Sequence, residues 1–192
     1  MTGHIWLPVN TPEMKNFAKE MNEGRRASGK PEFKVHVNAS AKGKMKAVRR
    51  KLGGGCLKGV QGKLYIIVHG GGKGSASVGA SRSGILKKYS PNDLAKAAEA
   101  EGLGKKIRDV RMYACGSAVA PKGMAPFGAR FAESLRNLGY DNVKVTGYLG
   151  SLYAAAGTAL KKGSSDEYHE TKHRTVLVDS MMRRASEYKK VF

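Results

Sequence analysis

The stretch Leu64-Tyr65-Ile66-Ile67-Val68-His69-Gly70 opens with five apolar or β-favouring residues in unbroken succession, preceded by Gly62-Lys63 and followed by Gly71-Gly72. A continuous apolar run bounded by turn residues suits a strand covered on both faces, as in the parallel sheet of an α/β domain. His69 then falls at the carboxyl end of that strand, the edge where ligands and chemistry gather in open α/β sheets. A second run has the same design: Ile107-Arg108-Asp109-Val110-Arg111-Met112-Tyr113-Ala114, then Cys115-Gly116-Ser117. If the two strands are parallel neighbours, an imidazole and a thiol leave one rim together, each followed by a glycine that lets backbone approach closely. A thiol within reach of an imidazole is an activated nucleophile, because the histidine takes its proton or favours the thiolate. Taken singly, His69 reads as a strand-end histidine and Cys115 as a small buried hydrophobe. Their shared context is what favours the pair.

The connection between the runs supports a parallel arrangement. Ser90-Pro91-Asn92-Asp93 is a capping-box start with proline at the first helical position, Leu94 to Ala98 continue the helix, and Gly102 stops it. This helix is read as the crossover of a right-handed strand-helix-strand unit. Gly70 to Gly84, rich in Gly and Ser, reads as a long active-site loop, and it lacks the spacing of a phosphate-binding Walker loop. Beyond Cys115, Phe127, Phe131, Leu135 and Leu138 mark the buried stripe of a helix ended by Gly139, and Val143 to Thr146 read as another strand. Two strand-helix units in succession predict an α/β fold with a mostly parallel central sheet and helices on both faces.

Flanking segments carry weaker signals. Pro12 to Met21 has helical spacing, Glu23 to Pro31 reads as an exposed loop, and Phe33 to Val37 alternates like a strand with His36 on its wetter face. Ala41, Met45, Val48 and Leu52 mark one side of a helix whose other faces carry Lys42, Lys44, Lys46, Arg49, Arg50 and Lys51. Lys42, Lys46, Arg49 and Arg50 are its candidates for a polyanion contact, against the alternative of a solvated face. Toward the end, Ala154 to Leu160 is open between helix and loop, Thr175 to Val178 reads as a strand, and Met181 to Tyr188 as a basic final helix.

Length and composition bound the function. The 192 residues fit one domain, and 35 Lys and Arg against 15 Asp and Glu give a net charge of +20. Such an excess calls for an anionic partner: nucleic acid, a polyphosphate or a membrane surface. Cys56 and Cys115 make no disulfide framework, and Cys56, after Gly53-Gly54-Gly55, is read as a spectator. No stretch reaches the length of a membrane span and the N-terminus lacks the pattern of a signal peptide. The expectation is a cytoplasmic protein, or an effector secreted or injected without a cleaved signal.

Ile66-Ile67-Val68-His69-Gly70, then Lys88-Tyr89-Ser90-Pro91-Asn92-Asp93-Leu94-Ala95, then Val110-Arg111-Met112-Tyr113-Ala114-Cys115, and Phe127-Gly128-Ala129-Arg130-Phe131 with Val143-Lys144-Val145, follow in order the landmarks of the caspase-like (clan CD) cysteine peptidases. Within that group the chain most resembles the self-cleaving cysteine protease domains of multifunctional-autoprocessing RTX toxins and large clostridial toxins. The resemblance covers roughly residues 33 to 150. It implies a caspase-like fold over residues 33 to 192, with residues 1 to 32 as an N-terminal extension packed on the domain. It implies a thiol endopeptidase in which His69 is the general base or an oriented acid, Cys115 forms a thioester, and the backbone N–H groups of Gly70 and Cys115 hold the oxyanion. The substrate would be a polypeptide, including the enzyme's own parent chain. No cofactor is needed for the chemistry, and inositol hexakisphosphate is the activator the family suggests. A dyad without a third member is expected, with Asp93 and Asp109 as acids that would otherwise support His69.

Two rival readings stand beside this one. His169-Glu170-Thr171-Lys172-His173 fits the zinc-peptidase pattern H-E-x-x-H, which needs both histidines on one helix face, with Asp179 or Glu187 as third ligand by default. Its polar surroundings argue for a solvated turn instead. The other rival is a non-catalytic nucleic-acid-binding protein, supported by charge but opposed by basic residues spread along the chain without interleaved aromatic platforms.

Overall fold

The computed structural model describes residues 3–38, 55–71, 73–82, 85–153, 157–160, 168–171 and 174–192. In chain order its elements are β1 (His4–Leu7), α1 (Pro12–Ala27), β2 (Lys34–Val37), β3 (Lys63–Ile67), β4 (Val78–Arg82), β5 (Ile85–Tyr89), α2 (Pro91–Ala100), β6 (Asp109–Tyr113), α3 (Phe127–Asn137), β7 (Lys144–Tyr148), β8 (Ser151–Tyr153), β9 (Gly157–Leu160), β10 (Tyr168–Thr171), β11 (Thr175–Val178), β12 (Met181–Arg184) and β13 (Lys189–Val191). Six of the strands form one sheet in the order β13-β7-β6-β3-β1-β2. Every neighbour pair in it is parallel except β13 with β7.

The two apolar runs are adjacent strands, with Ile66 opposite Met112 and Ile67 opposite Tyr113. Leu64, Ile66, Ile67, Val110 and Met112 are all buried, as a doubly covered strand requires. Between these strands α2 begins as expected: Ser90 Oγ accepts from the Asp93 N–H at 3.1 Å, Pro91 takes the first helical position, and Gly102 has φ +84°. α3 buries Phe127, Phe131 and Leu135 and packs against α2 and β7, each such side chain contributing about 1.5–3 kcal/mol.

The N-terminal segment departs from its expected role. Residues 1 to 32 are not an extension laid on the domain: β1 is an interior strand between β3 and β2, and Ile5, Trp6 and Leu7 are fully buried. A four-residue strand closed by Pro8 carries too short a pattern to announce itself. α1 also runs past Met21 to Ala27, into the expected loop. Thr11 Oγ1 caps it on the Met14 N–H at 3.1 Å, Arg25 and Arg26 complement its C-terminal dipole, and Gly29 at φ +65° ends the turn beyond.

Gly70 to Gly84 is only partly loop, because Val78–Arg82 pairs antiparallel with Ile85–Tyr89. The C-terminal third corrects more. No final helix forms over 181–188; β12 pairs antiparallel with β11 and β11 with β8, while β9 pairs with β10 where helix or loop was expected. The β11–β12 hairpin turns on Asp179 and Ser180 at φ 48° and 62°, a two-residue turn with both central residues left-handed. Asp-Ser is not the Asn-Gly or Asp-Gly pair that usually marks that turn, so the hairpin is hard to see in the residues. The basic helix proposed over 41–52, with Lys42, Lys46, Arg49 and Arg50, lies outside the described residues.

Candidate active site and a basic cleft

β3 and β6 end side by side, and their continuations touch. The Val68 N–H donates to the Tyr113 carbonyl at 3.3 Å. A Cβ built on Gly70 would lie under 3.0 Å from the Cys115 carbonyl oxygen and 3.4 Å from Cys115 N, so only glycine allows this approach. The two expected residues therefore share one rim, as two parallel strands with strong apolar signals dictate. Gly116, at φ +59°, turns the chain away from the sheet directly after Cys115. Neither the Gly70 N–H nor the Cys115 N–H donates a hydrogen bond within the described chain, which leaves two neighbouring amides available to an anionic oxygen.

The turn after Cys115 is held from the β7–β8 side. The Gly116 N–H donates to the Gly150 carbonyl at 2.8 Å, and the buried Ser117 Oγ donates to the Met112 carbonyl at 3.1 Å while accepting from the Tyr148 N–H at 3.0 Å. The Leu152 N–H donates to Cys115 Sγ at 3.3 Å. Cys56, by contrast, is half-buried, and burial followed by the Glu101 carboxylate pushes its thiol up to about 12. It suits the spectator role.

His69 is anchored by both backbone and ring. Its N–H and carbonyl pair with Gly79 at 2.7 and 3.0 Å, tying the strand end to the β4–β5 hairpin. Its Nε2 lies 2.9 Å from Glu13 Oε2, and Phe17 meets the ring edge-on at 6.4 Å. The Glu13 carboxylate accepts from Nε2, which leaves Nδ1 as the ring nitrogen that Glu13 does not engage. Glu13 is the acid the residue pattern missed. It comes from the first turn of α1, and nothing in a helix N-terminus says what will fold against it. Asp93 is instead bonded to its own cap, Ser90, and Asp109 is paired with Arg111 and Lys63. His69 and Cys115 are not hydrogen-bonded to one another: Glu13 holds the first and Leu152 the second.

The H-E-x-x-H reading loses its scaffold. Tyr168–Thr171, which contains His169 and Glu170, is a strand paired with β9, so the helix that would bring the two histidines to one face does not form there. His173 lies outside the described residues. Among the described residues no group of three His, Cys, Asp or Glu is placed to hold a metal ion. No described helix is long and apolar enough to cross a membrane.

A basic cleft of about 280 Å³ opens elsewhere, between α1, the sheet and the C-terminal hairpins. Arg25, Lys30, Arg111, Arg174, Arg184 and Lys189 line it, and among the described residues no carboxylate does. Arg174 Nη2 donates to the Tyr65 hydroxyl at 3.0 Å and Arg111 Nη1 to the same oxygen at 3.4 Å. Burial opposes ionisation of the Tyr65 phenol, but the two guanidiniums overcome it and hold its pKa below the ordinary tyrosine value. Arg174 Nη1 and Arg184 Nε are shut off from solvent with no hydrogen-bond partner among the described residues. Buried cationic donors left open in this way favour an incoming anion. No single segment encodes this cleft, since its cations come from α1, the α1–β2 connection, β6, the residue before β11, β12 and β13.

No protein-family model matches the chain, and no curated protein matches it.

Proposed function

We propose that the chain is a cysteine endopeptidase of the caspase-like kind. Cys115 Sγ, its proton passed to His69 Nδ1, attacks the carbonyl carbon of the scissile peptide bond. The oxyanion that forms is held by the N–H groups of Gly70 and Cys115. His69 returns the proton to the departing amine, the C–N bond breaks and a thioester remains, which water hydrolyses with His69 again as base. Glu13 orients the imidazole and balances its charge while it carries the extra proton. The observation that carries this reading is the packing of Gly70 on Cys115, with both amides undonated and a carboxylate behind His69. For the dyad to act, the Cys115 side chain must turn from the Leu152 N–H toward His69.

The resemblance adds regulation by a polyanion such as inositol hexakisphosphate, and the open donors of Arg174 and Arg184 support the cleft as its seat rather than the 41–52 segment. β11 and β12, which follow or contain these arginines, belong to the same three-stranded sheet as β8, whose Leu152 holds the thiol. An anion that draws the arginines together is thereby able to shift that amide. By the same resemblance the protein is a bacterial toxin or effector protease, or a self-processing domain, with a polypeptide substrate that includes its own parent chain.

The test is covalent labelling with a peptide-like electrophile, with and without inositol hexakisphosphate, on the parent chain and Cys115→Ala. The expected result is one adduct, at Cys115, formed faster with the polyanion. No adduct under either condition would refute the peptidase. Activity that survives Cys115→Ala but not a chelator would return the case to zinc.

A further inference from the structure

We propose that Arg130 is a positioning residue that fixes the wall of the pocket taking the substrate residue ahead of the scissile bond, an inference that rests on the peptidase reading. A pocket of about 280 Å³ adjoins His69 and is walled by Gly71, Ser75, Ser77, Val78 and Gly79, with Lys88 at its side. Most of that wall is irregular backbone, which needs an outside partner to stay in place. Arg130, in the first turn of α3, supplies one: its Nη2 donates to the Ser75 and Ala76 carbonyls at 3.1 and 3.3 Å. Its Nε donates to the Ala125 carbonyl at 3.0 Å, so one planar guanidinium grips carbonyls of two loops.

Two further contacts register this wall on the nucleophile. The Gly128 N–H, also in the first turn of α3, donates to the Ser117 carbonyl at 2.8 Å, two residues beyond Cys115. Gly74, at φ +88°, lies so close to the loop after the nucleophile that a Cβ there would sit 2.6 Å from the Val119 carbonyl oxygen and 3.1 Å from Pro121 N. Within the wall, the Gly71 N–H donates to Ser75 Oγ at 2.6 Å. One helical turn thus references both the thiol and the pocket, and Arg130 is the part of it that reaches the pocket. Neither the thiol nor the imidazole is bonded to Arg130, so its loss should spare their intrinsic reactivity and loosen substrate placement.

Arg130→Ala and Arg130→Lys would be compared with the parent in three measurements: amide exchange over 73–77, alkylation of Cys115 by iodoacetamide, and adduct formation with a peptide-like electrophile. For Arg130→Ala the expected result is faster exchange, an iodoacetamide rate within about twofold of the parent, and a peptide-reagent rate lowered about tenfold or more through weaker saturation. Arg130→Lys should recover only part of this, because an ammonium cannot span both loops. Unchanged exchange, or equal slowing of the small and the peptide reagent, overturns the inference alone. A parent chain that iodoacetamide labels but the peptide reagent does not overturns the peptidase reading and this inference with it.

Discussion

Gly70→Ala is the substitution that most directly strains the proposed site. The added methyl would fall under 3.0 Å from the Cys115 carbonyl oxygen, against ordinary van der Waals contact at 3.4–4 Å, so the two strand ends must separate by several tenths of an ångström or more. Neither side yields freely. His69 is bridged to Gly79 at 2.7 and 3.0 Å, and the Cys115 turn is bonded through Gly116 to Gly150 at 2.8 Å and through Ser117 to Ala114 at 3.2 Å. Overpacking of this kind costs about 1–3 kcal/mol, and a shift approaching 1 Å between reacting groups costs about a hundredfold in rate. Gly70 is not among the glycines at positive φ, so the loss comes from the methyl and not from backbone strain. Urea denaturation reads the first quantity, and the rate of adduct formation at Cys115 the second. A variant within about 0.5 kcal/mol of the parent and labelled at the parent's rate would show that the strand ends do not meet, and the shared rim would fall with that result.

Further outcomes follow from other contacts. Glu13→Gln keeps the shape at His69 Nε2 but removes the charge, and should lower turnover about ten- to a hundredfold with little change in melting temperature, since the pair is largely exposed. Ser117→Ala removes the acceptor of the buried Tyr148 N–H and should lower stability by about 1–3 kcal/mol in denaturant titration. Arg174→Met should leave the ligand-free melting temperature level or higher, because it replaces a buried guanidinium with an unmet donor, yet weaken the thermal shift given by inositol hexakisphosphate. His4 Nδ1 and His36 Nε2 face each other at 2.9 Å on β1 and β2; burial first, then Lys34 for His4 and the His4 ring followed by Lys34 for His36, hold both pKa values below the ordinary 6.5. Because the unfolded chain then binds protons first, their contribution is complete above about pH 6.5 and is lost as pH falls through the folded values. A melting temperature that falls with acid below about pH 6.5, and falls less in His36→Gln, is expected; identical slopes would exclude the pair as the cause.

The reach of the residue pattern follows from how local each feature is. The strands ending at His69 and Cys115 were legible because a continuous apolar run needs cover on both faces, and the capped α2 between them because Ser90, Pro91 and Asp93 act on the backbone beside them. β1 was illegible, since four residues hold too little periodicity, and so was the β11–β12 hairpin, whose Asp179-Ser180 turn lacks the usual glycine. By itself the sequence determined the α/β class, the crossover unit and the pairing of a histidine end with a cysteine end, all of which depend on short-range propensity and burial. Only tertiary structure decided that Glu13 stands behind His69, that Leu152 holds the thiol, and that six cations from six parts of the chain share one cleft. Such contacts are set by how whole elements pack, and the residues between them carry no trace of the distance that packing closes.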